Sequence, residues 1–138
     1  MIAHQAVLDT FVTALIGTPG VGTRVSAERT FDLADDVLAA IDVVEDGTAS
    51  TEMVGFASES LVLALTIRAR SRTPRAACYA ILEAAHPRVM GALYSDGGQV
   101  KSITRLSHTF DSAPADVSIG EMTAKYAVTF EVDLITLQ

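Results

Sequence analysis

Apolar residues near the N-terminus recur with helical spacing: Leu8, Phe11, Val12 and Leu15 stand at i, i+3, i+4 and i+7. That spacing predicts an amphipathic, core-facing helix that ends before Gly17 and Pro19. Short strands are expected from Thr23 to Arg29 and from Leu38 to Val44, where β-branched residues gather on either side of a polar loop. The alternation then becomes strict. Leu61, Leu63, Leu65 and Ile67 interleave with Val62, Ala64, Thr66 and Arg68, which is the two-residue period of a strand with one apolar face. Thr73-Pro74 supplies a cap and a first-turn proline for a second helix, whose stripe is Cys78, Ile81, Leu82, Ala85 and Val89. Pro87 is expected to kink or restart that helix.

After a turn at Ser95-Asp96-Gly97-Gly98 comes a strand of mixed pattern from Val100 to Phe110, followed by a Pro-containing loop from Asp111 to Ser118. The clearest alternation closes the chain: Met122, Ala124, Tyr126, Val128, Phe130, Val132 and Leu134 against Thr123, Lys125, Ala127, Thr129, Glu131 and Asp133. A strand of that length, near 40 Å at roughly 3.3 Å per residue, matches the width expected of the whole domain. Its end is expected to leave the parent sheet and pair with a neighbour, because unpaired backbone seeks partners. The fold class is therefore α+β, a mainly antiparallel sheet packed against two helices in the order α-β-β-β-α-β-β, with residues 1–138 forming a single domain.

Composition narrows the function. At 138 residues and 49% apolar content the chain can build a core unaided. No apolar run approaches the roughly 18 residues of a membrane helix, so no membrane partner is expected. No secretory signal is expected either, and a lone Cys78 excludes a disulfide framework, which fits synthesis in a reducing cytosol. The formal charge of -7 argues against a grip on nucleic acid, which requires clustered Lys and Arg.

Charge is also distributed in blocks. Between Thr30 and Ile67 there is no Lys or Arg, while Asp32, Asp35, Asp36, Asp42, Glu45, Asp46, Glu52 and Glu59 all fall there; Arg68, Arg70, Arg72 and Arg75 follow. Blocks of this kind are commonly solvated surface. They also suit complementary edges of neighbouring subunits, and the candidates for such an interface are Arg68, Arg70, Arg72, Asp35, Asp36, Glu45 and Asp46. If the Leu61 strand continues, Arg68, Arg70 and Arg72 project from one face, and reversing Arg68 or Arg70 is expected to weaken assembly while the monomer stays folded.

Catalytic signatures are missing. Gly17-Thr18-Pro19-Gly20-Val21-Gly22 follows a helix and lacks the Gly-Lys-Ser/Thr ending of a phosphate loop, so it reads as a turn. His4, His86 and His108 are scattered, and no zinc or EF-hand spacing occurs. Gly55-Phe56-Ala57-Ser58-Glu59-Ser60 lacks a nucleophile elbow, and Cys78 sits on the apolar helix stripe. Asp32, Asp35 and Asp36 have no base or cation beside them for phosphoryl chemistry. His108 and Lys125, on strand faces, read as solvent-facing. No catalytic, cofactor or metal residue is assigned.

The pattern as a whole resembles the tail terminator family of long-tailed bacteriophages, minor tail proteins related to that of phage lambda. The resemblance covers most of the chain in element order. It rests on the N-terminal helix, Arg29-Thr30-Phe31-Asp32 entering the Val37 to Val44 strand, the Leu61 to Arg70 strand, and the helix carrying Pro87-Arg88-Val89-Met90. Thr109-Phe110-Asp111 and Ala124-Lys125-Tyr126-Ala127-Val128-Thr129-Phe130 complete it. The resemblance implies a non-enzymatic hexameric ring at the head-proximal end of a virion tail. Such a ring would cap the tail tube protein, stop its polymerisation and present a surface to head-completion or neck proteins, with DNA passing through the lumen unbound. Two other readings stay open: another neck or tail-completion connector, and a small ligand-binding or enzymatic α+β domain.

Overall fold

Helix α1 (Ala3–Leu15) buries Ala3, Val7, Phe11 and Leu15, one residue per turn on the inner face, with Leu8 and Val12 packed beside them. The computed structural model describes residues 2–27, 37–95, 100–113 and 116–138. The expected turn after α1 is a closed one. The Gly17 amide donates to the Gly22 carbonyl, and the Thr18 hydroxyl donates to the Leu15 carbonyl at 2.6 Å, satisfying an orphan acceptor at the helix end. Gly17 sits at φ +94°, a backbone state that disfavours any side chain.

Five strands follow this turn in one sheet: β1 (Val25–Ser26), β2 (Ala39–Glu52), β3 (Phe56–Arg70), β4 (Val100–Ala113) and β5 (Asp116–Asp133). Helix α2 (Pro74–Ser95) lies between β3 and β4 in the chain. The spatial order is β1-β2-β3-β5-β4, with β1 parallel to β2 and every other pairing antiparallel. The α+β class and the element order α-β-β-β-α-β-β hold.

Leu61, Leu63, Leu65 and Ile67 of β3 lie level with Val128, Tyr126, Ala124 and Met122 of β5, so two alternating patterns fuse into one apolar sheet face. Both helices pack on that face, and a single cluster of buried side chains joins helices and sheet. Cys78 and Ala85 of α2 are fully enclosed in it.

Several expectations are corrected. β5 does not leave the sheet: it is paired with β3 from Ile119 to Asp133 and with β4 over most of its length. The reason is that β3 starts at Phe56, five residues before its apolar run, so it is nearly as long as β5. β2 runs eight residues past Val44, through a bulge between Glu45 and Thr48 where Gly47 takes φ +132°. β1 contracts to two residues. α2 continues through Pro87 as one helix, with its start at Pro74 as expected and the Thr73 carbonyl accepting from the Ala77 amide. β4 and β5 extend into the expected loop, leaving only 114–115 between them. The turn placed at Ser95-Asp96-Gly97-Gly98 and the Arg29-Thr30-Phe31-Asp32 loop fall largely or wholly outside the described residues.

Candidate assembly surface

The charged residues singled out from the sequence do not form one patch. Arg68 is 5% exposed, and its Nη1 donates to the Asp42 carboxylate, which is itself 1% exposed; its Nε donates to Glu121 at 3.3 Å. An arginine enclosed this way holds its own subunit together, so the expectation that its reversal would spare the monomer is corrected. Breaking a buried pair from one side leaves a desolvated charge behind. Arg70 shares the Arg68 face at the end of β3, half-buried, while Arg72 is exposed beyond the strand, so the expected three-residue row is not built. Glu45 is exposed at the start of the β2 bulge. Asp46 pairs with Lys125 at 2.8 Å, reaching across β3 above the small side chain of Ala64. Asp35 and Asp36 lie outside the described residues.

What sequence reasoning missed is an edge. Among the described residues β4 pairs in the sheet only with β5, so from Ser102 to Ser112 its far side forms a sheet edge. Among the described residues β1 covers only Ile41 and Asp42 of β2, and no other strand pairs on the outer side of its distal part. From Glu45 to Glu52 every β2 residue is exposed. Charged side chains lie on both strands: Glu45, Asp46 and Glu52 on β2, and Lys101, Arg105 and Asp111 on β4, which also carries the half-buried His108. Arg105 contacts His108 at 2.7 Å, and Tyr79 of α2 holds the other ring nitrogen of His108 at 3.2 Å. The mixed pattern of β4 in the sequence is what an edge strand whose register shifts at three places produces.

One end of the sheet is apolar and uncovered. The β2–β3 turn carries Met53 and Val54, the latter 99% exposed, beside Leu134 and Ile135 after β5. Phe56 pairs with Asp133, which brings the two turns together. Asp133 accepts from the Ile135 and Thr136 amides at 2.8 and 2.9 Å, and these bonds hold its carboxyl below the usual range.

A groove of about 720 Å³ opens near the start of α1. On its floor Glu59, 6% exposed, lies 3.8 Å from His4 Nε2, and the His4 ring meets Phe130 edge-on. Among the described residues Thr48 is the hydroxyl side chain lining this groove, and no Ser or Cys does. Burial raises the Cys78 thiol to about 11 and also pushes the Tyr126 hydroxyl up, the latter against His86 at 2.8 Å. Among the described residues no three His, Cys, Asp or Glu side chains converge as a metal set, and no helix is long and apolar enough to cross a membrane.

No protein-family model matches this chain, and no curated protein does. In three dimensions it is similar to a chain of the virion of a native gene transfer agent particle, with a TM-score of 0.64 at 11% identity, over 94% of this chain and 95% of that one. At that identity the two share a fold.

Proposed function

We propose that this protein is a structural subunit of a phage-like particle and acts there as a tail terminator: a ring that caps the tail tube, ends its polymerisation and offers the attachment surface for the head. The observation that carries this reading is the end-to-end fold likeness to a component of a virion. The element order agrees with the family resemblance in the sequence. Among the described residues the molecule also has features that a ring subunit needs: sheet edges on opposite sides and an exposed apolar tip at one end. Edges on opposite sides build head-to-tail contacts, which close into rings when the rotation allows. A formal charge of -7 suits a lumen through which DNA slides without being held.

The test is tube length. The purified chain is added to the polymerising tail tube protein of its particle, and tubes are measured by negative-stain electron microscopy. Shorter tubes with added density at one end are expected. An unchanged length distribution at excess chain contradicts the terminator role. A neck or tail-completion connector has the same need for a ring, and it would bind head-side proteins while leaving tube length alone.

A further inference from the structure

We propose that the groove at the start of α1 is a docking site for a lysine side chain of another protein, with the ammonium at Glu59 and the aliphatic stem along Ile2, Leu8 and Leu137.

The floor is the first reason. Glu59 lies on the helix-covered face of β3, level with Phe130 of β5, and is almost wholly buried, yet it lines the groove. Among the described residues no hydrogen bond reaches its carboxylate: the nearest basic atom, His4 Nε2, stands off at 3.8 Å, beyond the range of an N–H···O bond. His4 Nδ1 is buried and likewise has no hydrogen bond. A carboxylate withdrawn from water without donors is unfavourable, and a cation that enters the groove supplies both the opposite charge and the missing bonds.

The walls are the second. Ile2, Leu8 and Leu137 give the groove apolar sides, the exposed acids Asp9 and Glu45 also line it, and among the described residues no Lys or Arg does. Acids around the opening draw a cation in, and apolar walls cover its methylenes. Lysine joins those two properties, a compact charged head on a four-carbon stem that packs along apolar surface.

Continuity is the third. The Leu137 amide donates to the Asp133 carbonyl, and the Leu137 carbonyl accepts from the Ala3 amide. The turn that carries the exposed Leu134 and Ile135 therefore also builds a wall of the groove. Groove and apolar tip form one surface, and an exposed apolar patch beside polar groups marks a protein contact. A second copy is a poor source of the lysine. The sequence holds two, Lys101 and Lys125; Lys125 pairs with Asp46, and Lys101 has partners within its own subunit.

Saturation-transfer difference NMR on the full chain tests this with N-acetyl-lysine N-methylamide, its norleucine counterpart, which has the stem without the ammonium, and its arginine counterpart. The lysine probe is expected to bind saturably and at least about tenfold more tightly than the norleucine one, a comparison that needs no variant. Glu59→Gln, its fold checked by circular dichroism, should weaken the lysine probe about tenfold or more, while Glu131→Gln, an exposed acid outside the groove, should change it less than about twofold. For the tip, acetyl-Leu-Lys-Leu-amide should bind about threefold or more tighter than acetyl-Ser-Lys-Ser-amide, and Ile135→Ser should remove that gain. Equal binding of the lysine and norleucine probes, undiminished binding to Glu59→Gln, or no binding would each overturn the site. Tighter binding of the arginine probe would overturn the choice of lysine, and loss of self-assembly in Glu59→Gln would overturn the choice of another protein by giving the groove to a second copy. Tube length is read separately, so the terminator reading stands or falls apart from this one.

Discussion

Asp42→Ala is the most informative single substitution for the fold. It leaves the Arg68 guanidinium in a site that is 5% exposed and takes away the carboxylate on its Nη1. Removing one partner of a buried pair costs roughly 3–5 kcal/mol. Glu121 remains 3.3 Å from Nε, but its side chain is 40% exposed and meets the other end of the group. The loss is therefore placed at the lower end, about 3 kcal/mol, which for a chain of this size lowers Tm by about 10 °C. Asp42→Ala combined with Arg68→Met removes both charges and retains the bulk of the arginine stem, so it should return to within about 1 kcal/mol of the starting chain. The assay is urea and thermal unfolding followed by circular dichroism, run where sedimentation shows monomer, because assembly adds concentration-dependent stability. If Asp42→Ala melts within about 2 °C of the parent, the pair is not a structural element of the subunit, contrary to the roughly 10 °C fall expected.

Two further outcomes follow from the core. Cys78, with its thiol raised to about 11 by burial, should react with a disulfide reagent at pH 8 at least about a hundredfold more slowly in the native chain than in urea. The folded chain keeps that proton between pH 9 and 11 while the unfolded chain releases it, so stability falls as pH rises through that window; a native thiol that reacts as fast as the unfolded one contradicts the packing. Gly120→Ala would put a Cβ 2.8 Å from the Phe110 ring and 2.9 Å from Pro74, where Arg75 stacks on the same ring. A loss of about 1–3 kcal/mol in chemical denaturation is expected from that overpacking.

The sequence was legible wherever one face of an element is buried and the other is wet. Leu61 to Ile67 and Met122 to Val132 announce their strands by alternation, and Phe11 and Leu15 mark α1, because the core enforces the period. It was not legible from Glu45 to Glu52. Those residues are exposed on both faces of an edge and interrupted by the Gly47 bulge, so no apolar period records that they are strand. The same blindness shortened β4 and β3 and suggested that β5 overran its sheet. Arg68 was misplaced for a different reason: strand parity gives a face but not what else packs there. Asp42 between Ile41 and Val43 was the available clue, a lone acid within an apolar strand whose register meets Thr66, two residues from Arg68.

Native mass spectrometry of the purified chain over a concentration series measures self-assembly directly. Six subunits of 14.6 kDa in a closed ring are expected, a species of about 88 kDa. A stable dimer that never grows would contradict that ring, because a closed pair uses the same surface on both partners and has no place for unlike edges meeting head to tail.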